Sequence, residues 1–269
     1  MTRTDEQTEL RLSLEELALI LSLLGYAEAA KLSLTEYLGD PGYDELRGRM
    51  LAAGNSLLAR GILGAANGQM QMEPAYADLL QPIIYHDYVV RCSLMQAGQE
   101  EMLASYYRRA DQIAALRPYY GIYNTIAWMI NEAAVADDCL AFFLPSDLIP
   151  FPAQPFTLPA DPAQGAKILN AADADYSQSY LERIGVSPET AARFAADATQ
   201  QVKRGIALRL RAGSDDEVLA DRGYVLFTAA SGRTWLLTVN EVDGGASVVV
   251  RPATRDLIRQ ETLTLLEPY

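Results

Sequence analysis

Few side chains in this 269-residue chain could do covalent or metal chemistry. There is one histidine, His86, beside Asp87, and there are two cysteines, Cys92 and Cys139. Three nitrogen or sulfur ligands are too few for a closed Cys/His zinc site, and one imidazole fills at most one general-base position. His86 next to Asp87 could form an oriented base, but no nucleophile or local catalytic motif accompanies it, so a structural histidine is expected. Asp173-Ala-Asp175 lacks the further oxygen ligands of a calcium loop, and carboxylates two apart on a helix do not share a face. Gly61-Ile-Leu-Gly64-Ala-Ala-Asn-Gly68 has neither the spacing nor the preceding strand of a dinucleotide loop, and no Gly-Lys-Ser/Thr occurs. No catalytic residue, cofactor or metal is therefore expected.

Composition narrows the partners. With 35 acidic and 22 basic residues the net charge is −13, which repels phosphate backbones, and no basic stripe offsets it. Nucleic acid is not an expected partner. Apolar residues make up 50% of the chain, enough to bury a core. The apolar stretch over 12–24 is interrupted by Glu15 and Glu16 and is too short to span a bilayer, so neither a secretory signal nor a membrane span is expected. Two cysteines form no disulfide framework, which fits a reducing cytoplasm and small core residues.

The elements that would position any site begin with helices. Ser13 with Glu16 and Ser33 with Glu36 have capping-box spacing and predict two helix starts, with Gly25 and Gly39 as C-terminal caps. Over 43–84 the order is helix, turn, short strand, helix, as in winged-helix modules, without an arginine or lysine cluster to read DNA. Strand-like runs follow at 88–95, 102–108, 112–116, 125–130 and 139–143, although 101–116 also fits a helix. Asp137-Asp138 and Asp215-Asp216-Glu217 read as acidic turns beside strands. Five prolines between 145 and 159 mark a linker whose Phe151 and Phe156 should pack on a surface. Helices return at 162–180 and 187–202, then strands at 205–211, 218–220, 224–229, 234–240 and 246–250, and a helix over 254–266.

The two strand regions look duplicated. Thr125-Ile-Ala-Trp-Met-Ile-Asn-Glu132 matches Thr234-Trp-Leu-Leu-Thr-Val-Asn-Glu241, and Asp147-Leu-Ile matches Asp256-Leu-Ile in the same register. The expected fold is α+β, in two pseudo-duplicated halves, 1–147 and 163–269, joined by a proline-rich linker at 148–162. Each half has helices followed by an antiparallel meander, and a C-terminal helix closes the chain.

Tyr85, Tyr88, Tyr106, Tyr107, Tyr119, Tyr120 and Tyr123 crowd into 39 residues with Arg108, Arg109 and Arg117 among them. Tyrosine and arginine are what a wet protein interface uses. Tyr106, Tyr107, Arg109, Tyr119, Tyr120 and Trp235 are the candidate partner-binding residues; a half-buried sheet face is the alternative use of the same tyrosines.

The opening helix Leu14-Glu-Glu-Leu-Ala-Leu-Ile-Leu-Ser-Leu-Leu24 carries a family resemblance. So do Leu58-Ala-Arg-Gly-Ile-Leu63 leading to Met72-Glu-Pro74, and the late Val248-Val-Val-Arg-Pro252 before a terminal helix. With the length and two-copy organisation, these resemble the EspG family, cytosolic chaperones of type VII secretion that bind PPE proteins. The resemblance implies a quasi-symmetric α+β fold, no catalysis, and recognition of a partner's helical hairpin by sheet loops and the C-terminal helices. The proline linker and the Tyr119 region depart from it. The expected function is thus a non-catalytic cytoplasmic chaperone-like protein with a helical protein partner. The alternative is a winged-helix regulator using 43–84 on DNA, with the rest as a sensor.

Overall fold

The computed structural model describes residues 9–39, 42–66, 69–119, 122–144, 148–159, 174–212, 218–242 and 245–268. The chain forms two compact units, Met1–Tyr88 with Ala104–Ile130 and Val89–Leu103 with Asn131–Tyr269. The N-terminal half expected over 1–147 is therefore divided between them.

In the first unit the strands β1 (Glu9–Ser13), β5 (Met102–Arg109), β6 (Gln112–Tyr119) and β7 (Tyr123–Met129) lie in the order β1-β7-β6-β5. The ladders β1–β7, β7–β6 and β6–β5 are antiparallel. The helical alternative for 101–116 is not realised. The period-2 burial of Leu10 and Leu12 makes 9–13 a strand, so the apolar stretch over 12–24 opens on the end of β1. Ser13 ends that strand and caps helix α1 (Leu14–Leu23) through the expected box, with Ser13 Oγ accepting from Glu16 N. Helix α2 (Ala27–Leu38) starts at Ala27, so Ser33 lies inside it and not at its cap, while Gly25 and Gly39 do turn the chain at φ 94° and 72°.

Helix α3 (Tyr43–Ala59), the hairpin β2 (Leu63–Ala66) and β3 (Gln69–Met72), and helix α4 (Pro74–Ile84) realise the helix–hairpin–helix order. Their apolar residues Leu57, Ile62, Leu79 and Leu80 pack with Ile20, Leu12 and Ile126 in one core. Of this segment's arginines Arg47 is exposed, while Arg49 pairs with Glu15 and Glu45 and Arg60 pairs with the buried Glu16. The latter two are spent on internal carboxylates, not presented to a phosphate backbone.

In the second unit the order is β4 (Tyr88–Gln96), β9 (Gln201–Ala212), β10 (Val218–Ala229), β11 (Thr234–Val242), β12 (Gly245–Pro252) and β8 (Phe156–Pro159), every ladder antiparallel. The two runs expected at 218–220 and 224–229 are one strand, β10, with a register shift between Ala220 and Arg222. Within the expected linker, Phe156 and Leu158 are buried, and among the described residues β8 pairs with β12 alone, where proline is tolerated at a sheet margin.

One face of this sheet is covered by helices α6 (Ala174–Arg183) and α7 (Pro188–Thr199), whose Tyr180, Leu181 and Phe194 pack on Phe227, Trp235 and Leu237. The other face meets helices α5 (Glu132–Phe143) and α8 (Arg255–Leu266). Gly205 on β9 lets the Phe143 ring lie flat on the strand, because a Cβ there would fall 2.6 Å from Phe143 Cδ1. The strand expected at 139–143 is instead the end of α5: Val135, Cys139, Leu140 and Phe143 repeat at helical spacing, and Asn131 caps the first turn through Ala134 N. Asp137 and Asp138 accordingly sit on a helix, and Asp137 pairs with Arg259 at 2.8 Å. Asp147, Asp173 and 215–217 lie outside the described residues.

The α+β class holds, with antiparallel sheets, packed helices and a closing C-terminal helix. The expected duplication is not confirmed: element order alone echoes, β4 to β7 then α5 and β9 to β12 then α8, with Asn131 and Thr254 as the two helix caps. The residue matches do not follow that echo. They pair β7, the strand before a helix, with β11, which another strand follows.

Candidate partner-binding surface

The six expected binding residues do not form one site. Tyr106 and Trp235 are 0% exposed, so neither can touch a partner while the fold is intact. Tyr106 faces inward from β5. Trp235 sits among Phe151, Phe156 and Phe194, and its indole N–H donates to Asp197 Oδ2 at 2.9 Å. Asp197, which no local signal singles out, also accepts from Arg233 and Ser231 and is itself buried. Tyr120 lies outside the described residues.

The remaining three occupy opposite ends and opposite faces of the first unit's sheet. Strand alternation puts Tyr107, paired with Ala114, and Arg109, paired with Gln112, on one face at the β5–β6 turn. Tyr119 belongs to the other face, at the β6–β7 turn, where its ring stacks on Tyr123 at 5.0 Å and 9°. Tyr119 is 39% and Ile122 68% exposed there.

At the β5–β6 end an aromatic and arginine platform is assembled from four elements. Tyr26 precedes α2, Gln81 lies on α4, Tyr85 and His86 follow α4, and Tyr107 and Arg109 come from β5. The Arg109 guanidinium stands 5.2 Å over the Tyr85 ring and donates from Nη1 to Gln81 Oε1 at 2.6 Å. Tyr85 meets Tyr26 edge to face at 6.0 Å, and their hydrogen bond holds the Tyr26 phenol above its ordinary range. The turn that carries Arg109 is pinned from outside: Asp87 N donates to Arg108 O, and Asp87 Oδ2 accepts from Ala110 N at 2.8 Å. That bond supports Ala110 at φ 52°, a left-handed conformation uncommon for a residue with a Cβ.

This use of Asp87 settles the His86 question. The Asp87 carboxylate serves Ala110, while His86 Nδ1 lies 3.1 Å from the Ile83 carbonyl and its ring packs on Tyr107 at 5.2 Å. The sequence neighbours do not form an oriented base. Among the described residues no three His, Cys, Asp or Glu side chains converge as a metal site would require. Arg109 is half-buried, with a neutral amide and a ring for partners, and among the described residues no carboxylate is paired with it. Such an arginine on a tyrosine floor suits anchoring a protein surface. Nothing in the sequence pointed to Tyr26 or Gln81, because the turn geometry that brings them to β5 is set by helix packing.

The fold is an α+β scaffold of antiparallel strands and packed helices. The chain belongs to the EspG family, whose model matches residues 13–262. Among solved structures it is similar to the Mycobacterium tuberculosis type VII secretion system chaperone EspG5, solved in complex with a PE25–PPE41 dimer. The TM-score is 0.71 at 15% identity, covering 97% of this chain and 98% of that one. Comparison with curated protein sequences gives no match. No described helix is long and apolar enough to cross a membrane.

Proposed function

We propose that this protein is a non-catalytic cytosolic chaperone-like protein that binds a helical partner of the PE–PPE type. The family match over nearly the whole chain carries the reading, supported by a fold shared with a chaperone solved on such a partner. The contact surface in this proposal is the platform of Tyr85, Tyr107 and Arg109, with the exposed Tyr119 and Ile122 hairpin as a second place to look. An arginine held by a neutral amide beside the exposed Tyr85 ring can bury area and satisfy a partner's carbonyl or carboxylate at once.

The test is coexpression with the PE–PPE pairs of the same genome, followed by size-exclusion chromatography and mass measurement of any complex. A stoichiometric complex that Arg109→Glu abolishes is the expected result. A complex lost instead through Ile122→Asp moves the contact to the β6–β7 hairpin. Failure to bind any PE–PPE pair overturns the reading.

A further inference from the structure

The chain's two cysteines meet. Cys92 on β4 and Cys139 on α5 are both 0% exposed, and their sulfurs lie 3.7 Å apart, in van der Waals contact and across 47 positions of sequence. Both belong to the second unit. Between them the chain leaves that unit after Leu103, builds β5 to β7 of the first unit, and returns at Asn131. Cys92 and Cys139 thus stand on either side of the excursion that carries Tyr107, Arg109 and Tyr119. Bonding them would close a loop around all three.

We infer that Cys92 and Cys139 are a disulfide site, open in the reduced protein and closed by thiol–disulfide exchange with a small oxidised disulfide. The Cys92 or Cys139 thiol, as its thiolate, attacks one sulfur of the reagent disulfide and expels one reagent thiolate, giving a mixed disulfide. The second cysteine, deprotonated in turn, attacks the protein sulfur of that bond and expels the other reagent thiolate. The protein thus loses two protons and two electrons, and one reagent disulfide becomes two thiols. The sulfurs must approach by less than 2 Å to reach a bond of about 2.05 Å. Burial makes the first step slow, since the reagent needs a local opening to reach either sulfur. The closed form is the more stable one, because the link removes loop entropy from the unfolded chain.

The experiment treats the purified full chain with oxidised glutathione under native conditions and follows it by intact mass, non-reducing peptide mapping and thermal melting. The expected product is a monomer lighter by two hydrogens, with a Cys92 peptide joined to a Cys139 peptide and a melting midpoint raised by about 10 °C, the rise reversed by dithiothreitol. Cys139→Ala should show neither the link nor the rise. Both thiols still open to alkylation after denaturation, a stable glutathione adduct, or a linked form that melts lower than the reduced protein would each overturn the inference.

Discussion

Arg109 in the first unit and Arg233 in the second are assembled from the same kinds of parts. Each guanidinium lies over an aromatic ring, Tyr85 at 5.2 Å and Phe151 at 6.0 Å, and each sits beside a β-turn. They differ in what answers the charge. Arg233 closes on the buried Asp197 carboxylate at 2.7 and 2.8 Å, which also holds Ser231 and the Trp235 indole, so the cluster is satisfied from within. Arg109 donates to the neutral amide of Gln81. An arginine on an aromatic ring is therefore a structural clasp where a carboxylate lies beneath it, and where none does it is left for the docking role proposed above. Composition alone cannot separate the two, which is how Trp235 came to stand beside Arg109 as a candidate.

Asp197→Ala should have the largest effect. It leaves the Trp235 N–H buried without its acceptor and removes the ion partner of Arg233, so stability should fall by about 3 kcal/mol. Urea unfolding at unchanged m-value measures it. A loss under about 1 kcal/mol would mean that the cluster is no clasp. Arg109→Ala should behave oppositely, with stability changed by less than about 0.5 kcal/mol and affinity for a bound PE–PPE pair reduced about 30-fold. Calorimetric titration beside a urea curve separates the two effects. Tyr85→Ala should cost less, about 10-fold in affinity, because it removes the ring beneath a guanidinium that Gln81 still holds.

What could be read in advance follows from the range of each interaction. Caps and periodicity are local, so α1 with its Ser13–Glu16 box, α8 with its Thr254 cap and most strands stand where the sequence places them. Cys139 to Phe143 misled because a short apolar run fits a buried strand as well as a helix end, and only the Asn131 cap eight residues earlier decides. Ser33 misled because a capping-box spacing recurs by chance inside helices. Of the candidate surface, Tyr107 and Arg109 were legible as types on a strand. Their burial was half legible, since alternation separates Tyr106 from Tyr107 but does not say which face is open. Gln81 and Tyr26 depend on packing between elements far apart in sequence, and no local signal carries that.

The gentlest test uses a third arginine, closed like Arg233. Arg209 is almost fully buried on β9 and holds the Asp221 carboxylate through two hydrogen bonds of 3.0 and 2.8 Å, while its Nη1 donates to the Glu267 carbonyl just past α8. Burial pushes the Asp221 carboxyl upward, but the Arg209 hydrogen bonds and charge outweigh it and hold the group below its ordinary 3.8. A carboxyl depressed by folding contributes stability that is fully present above its unfolded pKa and disappears as pH falls through the lower folded value. The clasp should therefore be intact near neutrality and weaken below pH 3.8, as protonation leaves the Arg209 charge buried without its counterpart. Asp221→Asn should lower stability at pH 7 and flatten the acid limb of the stability curve between about pH 4 and 2. Arg109→Gln, where among the described residues no carboxylate is paired with the guanidinium, should leave that limb unchanged. If the two variants flatten it equally, open and closed arginines are not distinguished by the carboxylate beneath them.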